Sequence, residues 1–325
     1  MQTINYYKEK LFSYLDEAIK KNKPEAVLLS GGIDSSSIAY LGKKYKPELK
    51  SITVVTRDTE SPDQQFAKKV SRKLKIKEHI IAPLDTGEIP SLVKKAVLIL
   101  GNFNIYWASA AIVLLRGLEY AKINNIEKVA TGEGSDDLFG SFPVMLNWKN
   151  GNKSLQNFIE IRKKDIDIMT QKIADSLNVK IVMPFHDKRI INLAFKMPLK
   201  YKIKKNQNGK KVTKYVLREA FKNYLPTTVT NRPQTMAFIG ASTLDLLLNK
   251  YKNYTDIEKY RNRYKINFSS GLECYLFDIL RKGGKYKPAT NGNRCIYCRS
   301  KLRAKNSVHC TTCGTLQYKK KMLTF

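Results

Sequence analysis

Three short segments carry residue types that could do chemistry. The first is Ser30-Gly31-Gly32-Ile33-Asp34-Ser35-Ser36, which follows the apolar run EAVLLS at 25–30. Glycines let backbone N–H groups approach an anion, and a helix opening at this point adds a favourable dipole. Ser30, Ser35 and Ser36 can donate hydroxyls. Asp34 cannot face a phosphate directly, because like charges repel, but it fits if Mg²⁺ bridges it to pyrophosphate oxygens. No lysine follows the glycines, so this is not the GxxxxGKS/T loop of γ-phosphate chemistry. The alternative is a tight strand–helix turn. The second segment, Thr131-Gly132-Glu133-Gly134-Ser135-Asp136-Asp137, places two carboxylates after another pair of glycines. The third is Cys295-x2-Cys298-x11-Cys310-x2-Cys313, whose paired knuckles suit a closed tetrahedral Zn²⁺ site. Two disulfides, or a redox or sulfur-transfer role, are the alternatives there. His309 is not expected to be a ligand, and Cys274, inside the apolar run GLECYLFDIL, reads as a core thiol.

The elements that must position these segments can be read from periodicity. Residues 1–23 form an amphipathic helix with Leu11, Tyr14, Leu15 and Ile19 on one side. Strands are expected at 25–30, 51–58, 77–83 and 128–134, and helices at 35–45, at 61–76 after Ser-Pro, and from Ala108 to Tyr120. The alternation implies an α/β fold with a doubly wound parallel sheet, in which ligands sit beyond the carboxyl ends of the strands. Both glycine-rich segments lie there and are expected to face one pocket. From about 150 to 285 the pattern turns mainly helical. Arg281 to Asn293 reads as a linker, and a small zinc ribbon follows. The expected division is 1–285, comprising an N-terminal helix (1–24), a nucleotide-binding core (25–150) and a helical part (151–285), followed by a basic ribbon module at 286–325.

Composition narrows the partners. The chain has 325 residues, enough for a sizeable core, with 59 Lys+Arg against 28 Asp+Glu and a formal net charge of +31. That balance points to a polyanion, either a nucleic acid such as tRNA or an acidic protein partner; compositional drift toward lysine is the alternative. Around the ribbon, Arg294, Arg299, Lys301, Arg303, Lys305 and Lys319 to Lys321 interleave with Tyr297 and Tyr318, which suits phosphate contact and base stacking. No run reaches about 18 apolar residues and the N-terminus lacks a cleavage site, so a cytoplasmic protein away from the membrane is expected.

SGGIDSS resembles the pyrophosphate loop of the N-type ATP pyrophosphatases (adenine nucleotide α-hydrolase-like fold), which cleave ATP to AMP and pyrophosphate while adenylating an acceptor. TGEGSDDLFG at 131–140 resembles the signature of the asparagine synthetase synthetase domain and of β-lactam synthetase. Met183-Pro184-Phe185-His186-Asp187 and Lys214-Tyr215-Val216-Leu217-Arg218-Glu219 resemble two further blocks of that family, in family order. The resemblance implies that Ser30, Gly31, Gly32, Ser35 and Ser36 hold pyrophosphate, that Asp34 and Asp136 share Mg²⁺, that Val55 and Gly132 border the adenosine, and that Lys214 reaches the phosphates. Glu133 stands as a possible supporting group, and Asp137 and Asp187 as structural.

Three departures bear on the acceptor. The chain reaches its phosphate loop by residue 30, without the family's N-terminal glutaminase half, so the amine or sulfur donor is expected to be free ammonia, another protein or the substrate itself. The family's catalytic glutamate aligns near Ile99, and no acid lies between Pro90 and Glu119. Its catalytic lysine aligns with Gln234 in Asn231-Arg232-Pro233-Gln234-Thr235. The expected function is therefore an ATP-dependent adenylating ligase with a nucleic-acid acceptor. An ammonia-dependent small-molecule amide ligase and a non-catalytic ATP- or RNA-binding module are the competing readings.

Overall fold

In the computed structural model the described residues are 2–57, 61–141, 169–206, 208–233, 235, 237–289, 293–302, 310–315, 317–318 and 321–322. Helix α1 (Ile4–Asn22) starts where the Thr3 hydroxyl accepts from the Tyr6 N–H and stops at Lys23 in the left-handed conformation. Its buried residues Tyr7, Leu11, Leu15 and Ile19 recur every four residues, so one stripe faces the core. Tyr14, expected on that stripe, is half-buried, with the Arg189 guanidinium 5.0 Å over its ring.

Five parallel strands form the central sheet: β1 (Ala26–Leu28), β2 (Lys50–Thr56), β3 (His79–Leu84), β4 (Lys128–Ala130) and β5 (Lys180–Val182). Their spatial order is β3-β2-β1-β4-β5. The chain winds outward from β1 to β3, then crosses back to place β4 on the other side of β1. The crevice where the direction reverses therefore opens at the carboxyl ends of β1 and β4, which run into the two glycine-rich segments. Strand residues alternate between two cores. Ala26, Ile52 and Val129 face α4 (Ile89–Leu100) and α5 (Ile105–Ile123), while Val27 and Ala130 face α1, α2 (Ile33–Tyr45) and α3 (Pro62–Lys73).

The described part of 151–285 is mainly helical, but β5 joins the main sheet, and an antiparallel pair, β6 (Lys204–Lys205) and β7 (Lys211–Val212), lies within it. The helix expected at 108–120 is α5; α4, which precedes it, is not among the expected helices, and the two bend by 110° between Gly101, a left-handed C-cap, and Asn104, an N-cap. No single described helix is long and apolar enough to cross a membrane. The expected linker is also shorter: Arg281 and Lys282 end the helix Gly271–Lys282, and the Ala289 N–H already donates to the Arg299 carbonyl.

The four ribbon cysteines are buried in one core with Phe103, Phe268 and Phe277. Tyr297, read as a base-stacking ring, instead donates its hydroxyl to the Asn267 carbonyl (2.7 Å) and to Glu273 (2.9 Å), anchoring the module. Arg303, Lys305, His309, Lys319, Lys320 and the side chain of Tyr318 lie outside the described residues.

Candidate active site

The first loop is built by close approach. Gly31 has φ +70°, and a Cβ there would come within 2.5 Å of Phe66 and Ala67, so the loop sits directly on α3. Ser30 and Ser35 share a hydroxyl–hydroxyl contact of 3.1 Å, and the Gly32 N–H donates to the Ser30 hydroxyl at 3.3 Å. The Ser36 hydroxyl is buried without a hydrogen-bond partner among the described residues, as expected of a donor placed for a ligand oxygen. Arg232 fixes the base of the loop. It donates to the Ser30 carbonyl at 2.8 Å and to Asp63 at 2.6 Å, with its guanidinium 4.2 Å from the Phe66 ring centre.

The second loop is set by β5, because the Thr131 N–H donates to the Val182 carbonyl at 3.0 Å. A Cβ on Gly132 would lie 2.7 Å from the Cβ of Asp34, so glycine is what lets the two loops touch. Ser135, at the start of the short helix α6 (Ser135–Leu138), donates its hydroxyl to Asp34 at 2.6 Å.

Lys214 occupies the meeting point. It has φ +55°, is fully buried, and its ammonium pairs with Asp34 and, at 2.8 Å, with Asp136. Arg218 holds the turn before it by donating to the Thr213 carbonyl at 2.8 Å. Burial opposes the charge on Lys214, but the two carboxylates outweigh it and hold its pKa above the ordinary value. Burial also drives the Asp34 carboxyl up, against the pull of Lys214. Glu133 rises to about 7, through burial first and then the neighbouring Asp137 and Asp136. Asp34, Glu133 and Asp136 line one cavity with a single buried lysine behind them. Carboxylate oxygens gathered on one wall are the donors a divalent cation takes, and the lysine ammonium shows that Asp34 and Asp136 converge on one point.

The cavity holds about 200 Å³. Ser30, Asp34, Ser35, Gly132 and Asp136 line it, as do Glu133, Asp63 and Thr235. Its apolar wall includes Leu28, Val54, Val113 and Leu114. Gly31, Gly32, Ser36, Val55 and Lys214 stand behind the lining. Val55, expected beside the adenosine, is buried, and its neighbour Val54 supplies the wall. Ile99 is half-buried in α4 and packs against the core rather than the cavity. Ile99 therefore brings no group to the cavity, whose acidic lining residues are Asp34, Asp63, Glu133 and Asp136. Gln234 lies outside the described residues.

Two loops of this composition meeting at the switch point agree with a match across most of the chain: the sequence model for asparagine synthase covers residues 9–177 and 154–258. The chain belongs to the asparagine synthase family. It is 26% identical over 297 residues to the glutamine-hydrolyzing asparagine synthetase B of Escherichia coli, covering 83% of this chain and 52% of that protein. It is 23% identical over 312 residues to a putative asparagine synthetase of Methanocaldococcus jannaschii, covering 80% and 56%. The chain thus spans about half the length of these curated relatives. Among solved structures it is loosely similar to an ammonia-dependent NAD synthetase from Campylobacter jejuni, at 14% identity and a TM-score of 0.32, covering 90% of this chain and 100% of that one.

The four cysteines form a second candidate centre. Their sulfurs all lie within 4.8 Å of one another, with Cys295–Cys313 at 3.7 Å and Cys298–Cys310 at 3.6 Å. A disulfide needs about 2 Å, whereas zinc–sulfur bonds of about 2.3 Å in a tetrahedron put sulfurs about 3.8 Å apart. The donor set fits zinc. Cys274 is separate, a fully buried thiol whose pKa burial pushes up to about 12.

Proposed function

We propose that this chain is an ATP-dependent ligase that cleaves ATP between the α- and β-phosphates, transfers AMP to an acceptor oxygen, and lets an amine or sulfur nucleophile displace it. The convergence of Asp34 and Asp136 on one point beside the first glycine loop carries this reading. Ser30, Ser35, Ser36 and the backbone of Gly31 and Gly32 would hold the pyrophosphate. Asp34 and Asp136 would hold Mg²⁺, which when bound offsets charge on the departing pyrophosphate. Lys214 keeps the two carboxylates aligned, and the wall of Leu28, Val54, Val113 and Leu114 suits the adenine ring. Glu133, with a pKa near 7, is poised to take a proton from an incoming amine. The acceptor we favour is a nucleic acid such as tRNA, supported by the net charge of +31. An acidic protein partner is the other source of that attraction.

A second reading has its own support. Glu133 lines the cavity together with Asp34 and Asp136, and the matched relatives carry the name asparagine synthetase. Both favour an ammonia-dependent amide ligase acting on a small carboxylate. The test is release of AMP and pyrophosphate from ATP and Mg²⁺, with bulk tRNA or with amino acids plus ammonium, and with Asp34→Ala as the variant expected to abolish turnover. Stimulation by tRNA supports the first reading and stimulation by amino acids the second. ADP and phosphate as products, or turnover that survives Asp34→Ala, overturns both. ATP binding without turnover under either condition supports a non-catalytic ATP- or RNA-binding module.

A further inference from the structure

From Lys188 to Arg218 the chain carries no acidic residue. The centre of that stretch is the β6–β7 hairpin, where Lys204, Lys205, Lys210 and Lys211 are all exposed. The turn is rigidly made. Asn206 accepts on its side chain from the N–H groups of Asn208 (3.1 Å) and Lys210 (2.9 Å), its own N–H donates to the Lys210 carbonyl, and Gly209 supplies φ +72°. Register places Lys205 directly opposite Lys211. Like charges paired across strands are unfavourable, and Lys205 and Lys210 make no ion pair with a described residue. A preorganised ribbon that concentrates repelling lysines is stabilised by a polyanion.

The hairpin is also tied to the candidate active site. The Lys204 ammonium lies 4.5 Å over the Tyr215 ring centre and donates to its hydroxyl at 3.0 Å. Tyr215 follows Lys214 in the chain, and only Thr213 separates β7 from Lys214, a reach of about 7 Å. We propose that the β6–β7 hairpin docks the phosphate backbone of RNA beside this site. The inference rests on the nucleic-acid reading of the acceptor and names the surface that would hold it. The cations of the hairpin are all lysines, compact point charges that contact phosphate oxygens without a fixed fork geometry. None of the exposed large hydrophobic residues lies in it, so it lacks the buried apolar anchor of a protein interface. Phosphate contact through counterion release needs no such anchor.

The test is binding of bulk tRNA across a salt series. The K205E/K210E/K211E variant is compared with K10E/K20E/K73E, which makes the same charge change on exposed faces of α1 and α3. ATP binding serves as the folding check for both. The hairpin variant is expected to bind tRNA at least about 10-fold more weakly, and its salt slope to fall by about one for each lysine withdrawn from a phosphate. Equal weakening by the two variants overturns the hairpin as the docking surface and leaves a nucleic-acid acceptor standing. Failure of the unaltered chain to bind tRNA overturns both. Displacement of tRNA by poly-glutamate as effectively as by unlabelled RNA assigns the surface to acidic polypeptides and overturns the RNA proposal.

Discussion

The candidate active site is a problem of charge at the scale of single residues. Glu133 sits among the carboxylates of Asp34, Asp136 and Asp137, with Thr170 donating a hydrogen bond to it. Its carboxyl holds its proton to about pH 7, against an ordinary value of 4.5. Between those values the folded chain binds a proton that the unfolded chain has released, so stability falls as pH rises and the loss is complete above about 7. The penalty is at most on the order of 3 kcal/mol. Glu133→Gln removes it without changing shape. We therefore expect the metal-free Glu133→Gln protein to melt higher than the unaltered chain at pH 8, with the gap closing toward pH 5. A gap of the same size at both pH values would show that burial of charge is not its origin. Glu133 was legible in the sequence only as a neighbour of Asp136, since nothing in the order of residues says which side chain of the loop turns into the cavity. The pairing of Lys214 with Asp34 was hidden for a similar reason: the two are 180 residues apart and meet only in the folded chain.

Among the elements, those that set the site are the ones the sequence marked least. β5 is three residues long and follows a helix, too short for a period-two signal, yet it positions Thr131. By contrast, β1 to β4 and the helices α2, α3 and α5 were legible because each is a buried run or stripe bounded by turn residues. The break between α4 and α5 was hidden because its partner comes from the ribbon. Asn104 accepts from the Trp107 N–H at 2.8 Å to cap α5 and donates to the Cys313 carbonyl at 3.1 Å. The Phe103 N–H donates to the Thr312 carbonyl at 2.8 Å. Gly314 is required opposite, since a Cβ there would fall 1.5 Å from the Asn104 amide nitrogen. Losing the cap costs about 1 kcal/mol, and orphaning the buried carbonyl about 1–3 more. Urea denaturation should show Asn104→Ala destabilised by about 2–4 kcal/mol, with Asn104→Asp, which keeps the cap and loses the donor, in between. Asn104→Ala within about 0.5 kcal/mol of the unaltered chain would mean that the ribbon does not hold α5.

For the whole molecule, the question is whether the ribbon is an appendage or part of the fold. Its cysteines share a core with Phe103 of the α4–α5 turn and with Phe277 of the helix Gly271–Lys282. The Tyr286 hydroxyl donates to the Cys298 carbonyl at 2.9 Å, and Tyr297 reaches Glu273. A structural zinc site contributes about 10–16 kcal/mol to the folding of a small module, comparable with the net stability of a whole domain at about 5–15 kcal/mol. Removing a zinc ion held there would therefore take away an amount of free energy that the shared core cannot absorb locally. α5 carries Ala110, Val113 and Leu114 of the candidate cavity, although no described ribbon residue lines it. Metal analysis should find one zinc per chain. Chelation, or Cys298→Ser, is expected to raise hydrogen exchange in the α4–α5 turn and in the helix Gly271–Lys282, and to weaken ATP binding. If exchange rises only within 293–315 and ATP affinity is unchanged, the ribbon folds on its own account and the core it shares with α5 is adjacency without coupling.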